Sequence, residues 1–175
     1  MDKLDIVTDE SGNKVVLLPE IIFSNKQNIN WDDVEDYLGK YVGELIEIAE
    51  TRDIIYIGKK FPDEYGGSSY TRKTKGARAK AKANVAQGIR EMVEIATDKV
   101  YRENHKEKHS EDAHNGWFYY VTRFAIPLYD NEKKTGEYNV YSACLVVNHA
   151  ANGKMYLYDV VDIKKEASNP LKTIK

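Results

Sequence analysis

The sequence predicts an α+β fold: an N-terminal hairpin and two main helices packed on a mainly antiparallel sheet of about four strands. Three observations predict it. Two short apolar runs bracket a turn near the N-terminus. Two later stretches carry apolar residues at three- and four-residue spacing. The last third of the chain alternates aromatic and β-branched residues, with turn clusters between the runs. At 175 residues, 42% hydrophobic and 31% charged, the chain has single-domain size and ordinary globular composition. It divides into an acidic hairpin and helix over residues 1–49 and an α+β body over residues 50–170, expected to form one compact unit.

Residues 4–8 (LDIVT) and 14–18 (KVVLL) flank Glu10-Ser11-Gly12-Asn13, the pattern of a β-hairpin. Asn30 then suits a helix N-cap, and Asp32, Asp33 and Glu35 follow in the first turn, where the helix dipole favours anions. Val34, Tyr37, Leu38, Tyr41, Val42, Leu45, Ile46 and Ile48 keep helical spacing, which predicts a helix over 31–49 weakened at Gly39 and Gly43. Residues 53–58 (DIIYIG) are a short strand candidate. Residues 61–76, with Pro62 and Gly66-Gly67, read as a long polar loop. Residues 77–96 form the second helix, with Val85, Ile89, Met92, Val93 and Ala96 as its buried stripe. The charged stretch 102–115 is a helical turn or an ordered loop. Strands follow over 117–128, 138–148 and 155–164, joined by turns at 129–136 and 151–153.

Charge is unevenly spread. Residues 1–58 hold 13 acidic and 5 basic side chains, a charge of −8, so the remainder carries +6 within a total of −2. Residues 65–90 contain no acid and seven bases. A segment of that kind suits a polyphosphate partner, and Arg72, Lys73, Lys75, Arg78, Lys80 and Lys82 are the candidate RNA-binding residues. A solvated helix face or a flexible loop has the same composition. The lone Cys144 excludes an internal disulfide and a cysteine zinc ribbon. No apolar run approaches the length of a membrane span, and MDKLDIVTDE has no signal-peptide core, so a cytoplasmic protein without membrane contact is expected. A phosphate-cradling GxxxxGK[ST] loop is absent, and no Ser or Cys sits in a nucleophile elbow.

The histidines carry the remaining chemistry. His105 and His109 are spaced i, i+4 and would share one helix face. With His114 they could hold a metal, but Lys106 and Lys108 repel a cation and no H-E-x-x-H pattern is present. No metal and no cofactor is therefore expected. RNA cleavage through the 2′-oxygen needs a base, an acid and cations around the phosphate, and it needs no metal. His105, Lys108 and His109 supply those groups within five positions, although a charged solvated turn would look alike. Arg123 lies inside the strand over 117–128, where it is either an inert outward charge or part of a binding face. Asp162 and Lys164 alternate with Tyr156 and Tyr158 on the last strand; cations and tyrosines on one sheet face suit phosphate contact and base stacking, or simply a polar outer surface.

Several segments together resemble a known group. They are residues 53–58 with Phe61-Pro62-Asp63-Glu64-Tyr65, the Ala-Lys-Ala-Asn helix at 81–84, and Lys108-His109-x-x-Asp112-Ala113-x-Asn115-Gly116-Trp117. Arg123-Phe124-Ala125-Ile126-Pro127, Tyr138-Asn139-Val140 and residues 157–166 (LYDVVDIKKE) complete the set. The run, over about residues 50–170, resembles domains of large polyvalent proteins of phages and mobile elements, some of which are similar to the barnase–EndoU–colicin–RelE class of RNases. The resemblance implies one or two helices before an antiparallel sheet of about four strands, and metal-independent RNA cleavage from the sheet and its edge. It matches His109, Lys108 and Arg123, and less closely Asp162 and Lys164. It further implies a toxin or a counter-defence (anti-CRISPR) factor in the host cytoplasm, acting on RNA such as a guide RNA. A non-catalytic module that contacts a host nucleoprotein such as a CRISPR effector, with the acidic N-terminal segment mimicking nucleic acid, is the other reading.

Overall fold

The computed structural model describes residues 3–24, 28–103, 115–166 and 170–172. Strands β1 (Ile6–Thr8) and β2 (Lys14–Leu17) pair as an antiparallel hairpin. Helix α1 (Trp31–Leu38) starts at Asn30, whose side chain accepts from the Asp32 and Asp33 amides at 3.1 and 3.4 Å. A 3-10 turn over Gly39–Tyr41 follows, then β3 (Leu45–Glu47) and β4 (Ile54–Tyr56). Four short helices come next: α2 (Phe61–Gly67), α3 (Ser69–Lys73), α4 (Gly76–Asn84) and α5 (Ile89–Glu94). The chain ends in β5 (Thr97–Arg102), the long β6 (Trp117–Asp130), β7 (Lys133–His149), β8 (Met155–Lys165) and β9 (Leu171–Lys172).

These nine strands make one mixed sheet in the order β1-β2-β6-β7-β8-β4-β3, with β5 on β6 and β9 on β7. The spine β6-β7-β8 is antiparallel, but β2 joins β6 and β4 joins β8 in parallel. The sheet curls into a half-barrel. This overturns the expected four-strand, mainly antiparallel sheet with two main helices. The helix expected over 31–49 ends as an α-helix at Leu38, tightens into the 3-10 turn, and leaves helical geometry at Val42 (ψ 128°) and Gly43 (φ 93°). Beyond it, Ile46 is buried between exposed Leu45 and Glu47, the two-residue period of a strand. The polar loop expected over 61–76 is α2 and α3, with Pro62 in the first turn of α2 and Ser68 capping α3. The helix expected over 77–96 is broken by a 3-10 turn at Val85–Gly88.

One cluster of buried side chains joins the helices to the sheet and draws on the whole length from Val16 to Ile163, with Leu38, Phe61, Met92, Phe124 and Leu145 among its members. Buried amides fasten the irregular segment after β2. Asn84 accepts from the Ile22 amide at 2.8 Å and donates to the Phe23 carbonyl at 2.9 Å, and Gln87 donates to the Glu20 carbonyl at 2.8 Å. Among the described residues no helix is long and apolar enough to cross a membrane.

Candidate nucleic-acid interface

The basic segment folds into α3, α4 and the turn between them. Ser68 Oγ accepts from the Thr71 amide at 3.1 Å, and Thr71 Oγ1 donates to the Tyr65 carbonyl at 2.6 Å, fixing α3 on α2. Tyr70 OH accepts from the Ile163 amide at 2.9 Å and ties α3 to β8. Tyr70, Lys73, Thr74, Lys75, Ala77 and Arg78 then line a groove of about 480 Å³. Arg72, Lys73, Lys75 and Arg78 are exposed and Lys80 is partly so. Among the described residues none of these five forms an ion pair. Cations held together without counter-charges repel one another, and that repulsion is relieved by an anion laid across them.

Lys82 is corrected: it is not available to a phosphate. It is fully buried, and its ammonium meets the equally buried Asp159 carboxylate and donates to the Val160 carbonyl at 2.8 Å. The rings of Tyr65 and Tyr70 lie 4.5 and 4.9 Å from the ammonium, and Tyr65 OH donates to the Lys82 carbonyl. Burial pushes the Lys82 ammonium down and the Asp159 carboxyl up, while the attraction between them opposes both shifts. Lys82 thus anchors α4 to β8 beneath the groove. Arg90, from the same acid-free stretch, forms an ion pair with Glu44.

The expected catalytic set is only partly assembled. His105, Lys108 and His109, with His114, lie outside the described residues. Arg123, Ser142 and Lys164 stand opposite one another on β6, β7 and β8, so Arg123 and Lys164 share one row. Arg123 Nε donates to Glu166 at 2.8 Å, so this guanidinium is already paired. Asp162, with φ 51°, sits at the bulge between the Ser142–Lys164 and Cys144–Val161 pairs and has no residue opposite it on β7. Two irregularities in the β7–β8 register break the expected stripe of Tyr156, Tyr158, Asp162 and Lys164. Tyr158 packs edge-on against Trp117 at 5.1 Å, and Tyr156 packs against Tyr56 at 5.7 Å. None of Arg123, Asp162 or Lys164 lines the basic groove. Burial and the nearby Asp162 charge push the Cys144 thiol up to about 11, as expected for an inert thiol. Among the described residues no three potential metal ligands come together.

Sequence reasoning passed over a second concavity, at the mouth of β4, α2, β7 and β8. It is lined in part by a buried amide, Asn148, whose Oδ1 has no hydrogen-bond partner among the described residues. The available signal was an amide in the otherwise apolar run Leu145-Val146-Val147-Asn148. No family model, curated protein or solved structure matches this chain.

Proposed function

We propose that this chain is an RNA-targeting protein of phage or mobile-element origin that holds a phosphate backbone in the groove between α3 and α4. The observation that supports it is the set of exposed cations Arg72, Lys73, Lys75 and Arg78, unpaired among the described residues, on a framework fastened to β8 by Tyr70 and Lys82. Such a groove contacts the backbone and carries little sequence information of its own. In the cleaving form of this reading, His109 acts as general acid or base without a metal, and Arg123 exchanges Glu166 for the phosphate. As a counter-defence factor or toxin the protein would capture an RNA such as a guide RNA.

The test is affinity for labelled single-stranded RNA, measured at several salt concentrations. The charge-reversed variant Lys73→Glu, Lys75→Glu, Arg78→Glu should lose most binding while unfolding at the same denaturant concentration. Each lost contact should flatten the log–log salt slope by roughly 0.7. Unchanged affinity in this variant rejects the groove. Incubation of the same RNA with EDTA, and with His109→Ala, separates cutting from holding. Cleavage that survives EDTA and falls about 10²–10⁴-fold in His109→Ala supports the catalytic form. Binding without cleavage leaves the non-catalytic module.

A further inference from the structure

The groove between α3 and α4 offers more than positive charge. Lys73, Lys75 and Arg78 line it and no acid does, but Tyr70 and Ala77 add apolar surface to the same lining. Thr74 Oγ1 donates to the Thr71 carbonyl at 2.7 Å, so that hydroxyl is already engaged. Tyr70 is held at two points. Its OH accepts from the Ile163 amide at 2.9 Å, and the Lys82 ammonium lies over its ring, 4.9 Å from the centroid. Lys82 is fully buried and does not line the groove, whereas Tyr70 is partly exposed and does. The ammonium therefore takes the inner side of the ring, and the groove has the outer side. A ring with a cation on one face holds its π density toward that face, which eases the approach of a second aromatic ring to the other. Because Tyr70 is already fixed, little side-chain freedom is lost when something stacks on it. A groove of about 480 Å³ that joins one such ring to three cations matches an anionic chain that carries flat bases.

A phosphate backbone alone would satisfy the cations, so the ring is what distinguishes one form of RNA from another. In a duplex each base is paired and covered by its neighbours, and none is free to lie on a ring in a groove. In a single strand a base can turn out of the stack and do so. We propose that the groove takes single-stranded RNA, with one base stacked on Tyr70 and the adjoining phosphates held by Lys73, Lys75 and Arg78. This deepens the RNA reading, on which it rests for the polyanion, by adding the strandedness of the ligand and a contact that does not depend on charge.

Three ligands test it by anisotropy against the full chain: a short unstructured RNA strand, the same strand annealed to its complement, and an abasic oligomer of equal length with tetrahydrofuran in place of each nucleoside. The duplex carries twice the phosphates, so charge alone ranks it first. Stacking on Tyr70 ranks the single strand above both others. Tyr70→Leu should weaken the single strand by roughly tenfold, with an unchanged log–log salt slope and no effect on the abasic oligomer. Tyr70→Phe keeps the ring but loses the tie to Ile163, and should keep its preference for the single strand over the abasic oligomer. A purely structural Tyr70 would give a different pattern, in which either variant weakens both single-chain ligands alike. If Tyr70→Leu does not fold, the ranking of the three ligands by the parent protein still decides. A single strand that binds no tighter than the duplex or the abasic oligomer overturns the proposal, and so does a folded Tyr70→Leu variant with undiminished affinity for it. The charge-reversed groove variant separates this failure from that of the groove itself. If it loses the single strand while Tyr70→Leu keeps it, the groove stands and the stacking fails; if it keeps the single strand, the groove fails and the stacking with it.

Discussion

A lysine ammonium moved from water to an apolar interior loses several kcal/mol of hydration, and only a well-placed counter-charge makes its burial tolerable. Lys82 has that partner in Asp159, with the Val160 carbonyl and two tyrosine rings completing its surroundings. Lys82→Met should therefore strand a buried carboxylate and destabilise the fold by about 3–5 kcal/mol. Lys82→Met combined with Asp159→Leu should recover most of that loss. Urea unfolding of the single and double variants measures both, and a double variant no more stable than Lys82→Met rejects the pair as the cause. The burial of Lys82 was legible in the sequence. Ala79, Ala86 and Ile89 lie three residues before, four after and seven after it, and all three are buried. That spacing puts Lys82 on the inner stripe, whereas a count of basic residues treats it like Lys73 or Lys75.

At the scale of elements, α1 meets α2 through carboxyl groups. Glu35 is pushed up to about 7, first by burial, then by a hydrogen bond with Asp63 and by the charges of Asp63, Asp32 and Asp36. Gly66 makes the approach possible, since a Cβ there would collide with the Glu35 carboxylate. A carboxyl whose folded value is raised keeps a proton that the unfolded chain has already released. Its stabilising contribution is complete below the ordinary value of 4.5 and is lost as pH rises to about 7. Glu35→Gln should flatten the decline in stability across that window and leave the variant more stable than the parent at pH 8. Urea midpoints at pH 5 and pH 8 give the comparison, and equal slopes for the two proteins count against Glu35. The sequence placed Glu35 in the first turn of a helix but gave no sign of Asp63, because α2 was read as loop. Its Gly66-Gly67 pair resembles loop composition, while the residues that make it a helix, Phe61 and Tyr65, are held by tertiary burial. Likewise Leu45, Ile46 and Ile48 fit helical and strand periods equally over so short a run, and the backbone at Val42 and Gly43 decides between them.

On the scale of the whole molecule, the strands that the sequence revealed are the long ones. β6, β7 and β8 are joined by tight turns and pair with their sequence neighbours. The flanks were hidden because the parallel junctions rest on two-residue registers, Val16 with Phe124 and Ile55 with Met155 among them, between segments far apart in the chain. Charge follows the same division. The acidic residues 1–58 carry −8, while the basic groove belongs to the half that carries +6. If RNA lies in the groove, acidic residues that do not line it repel the RNA through solvent, and salt should screen that repulsion. The screening length is about 30 Å at 0.01 M salt and about 8 Å at 0.15 M. Asp5, Glu10 and Asp33 are exposed and lie outside the groove. Asp5→Asn, Glu10→Gln, Asp33→Asn should thus tighten RNA binding at 0.01 M salt and leave it unchanged at 0.15 M. If the acidic segment is instead the contact surface for a basic protein, the same variant would lose biological activity at physiological salt with no change in RNA affinity. Anisotropy titrations at the two salt concentrations, set beside an activity assay at 0.15 M, distinguish a repelling flank from an interface, and an affinity independent of both salt and these charges would reject the electrostatic account of binding.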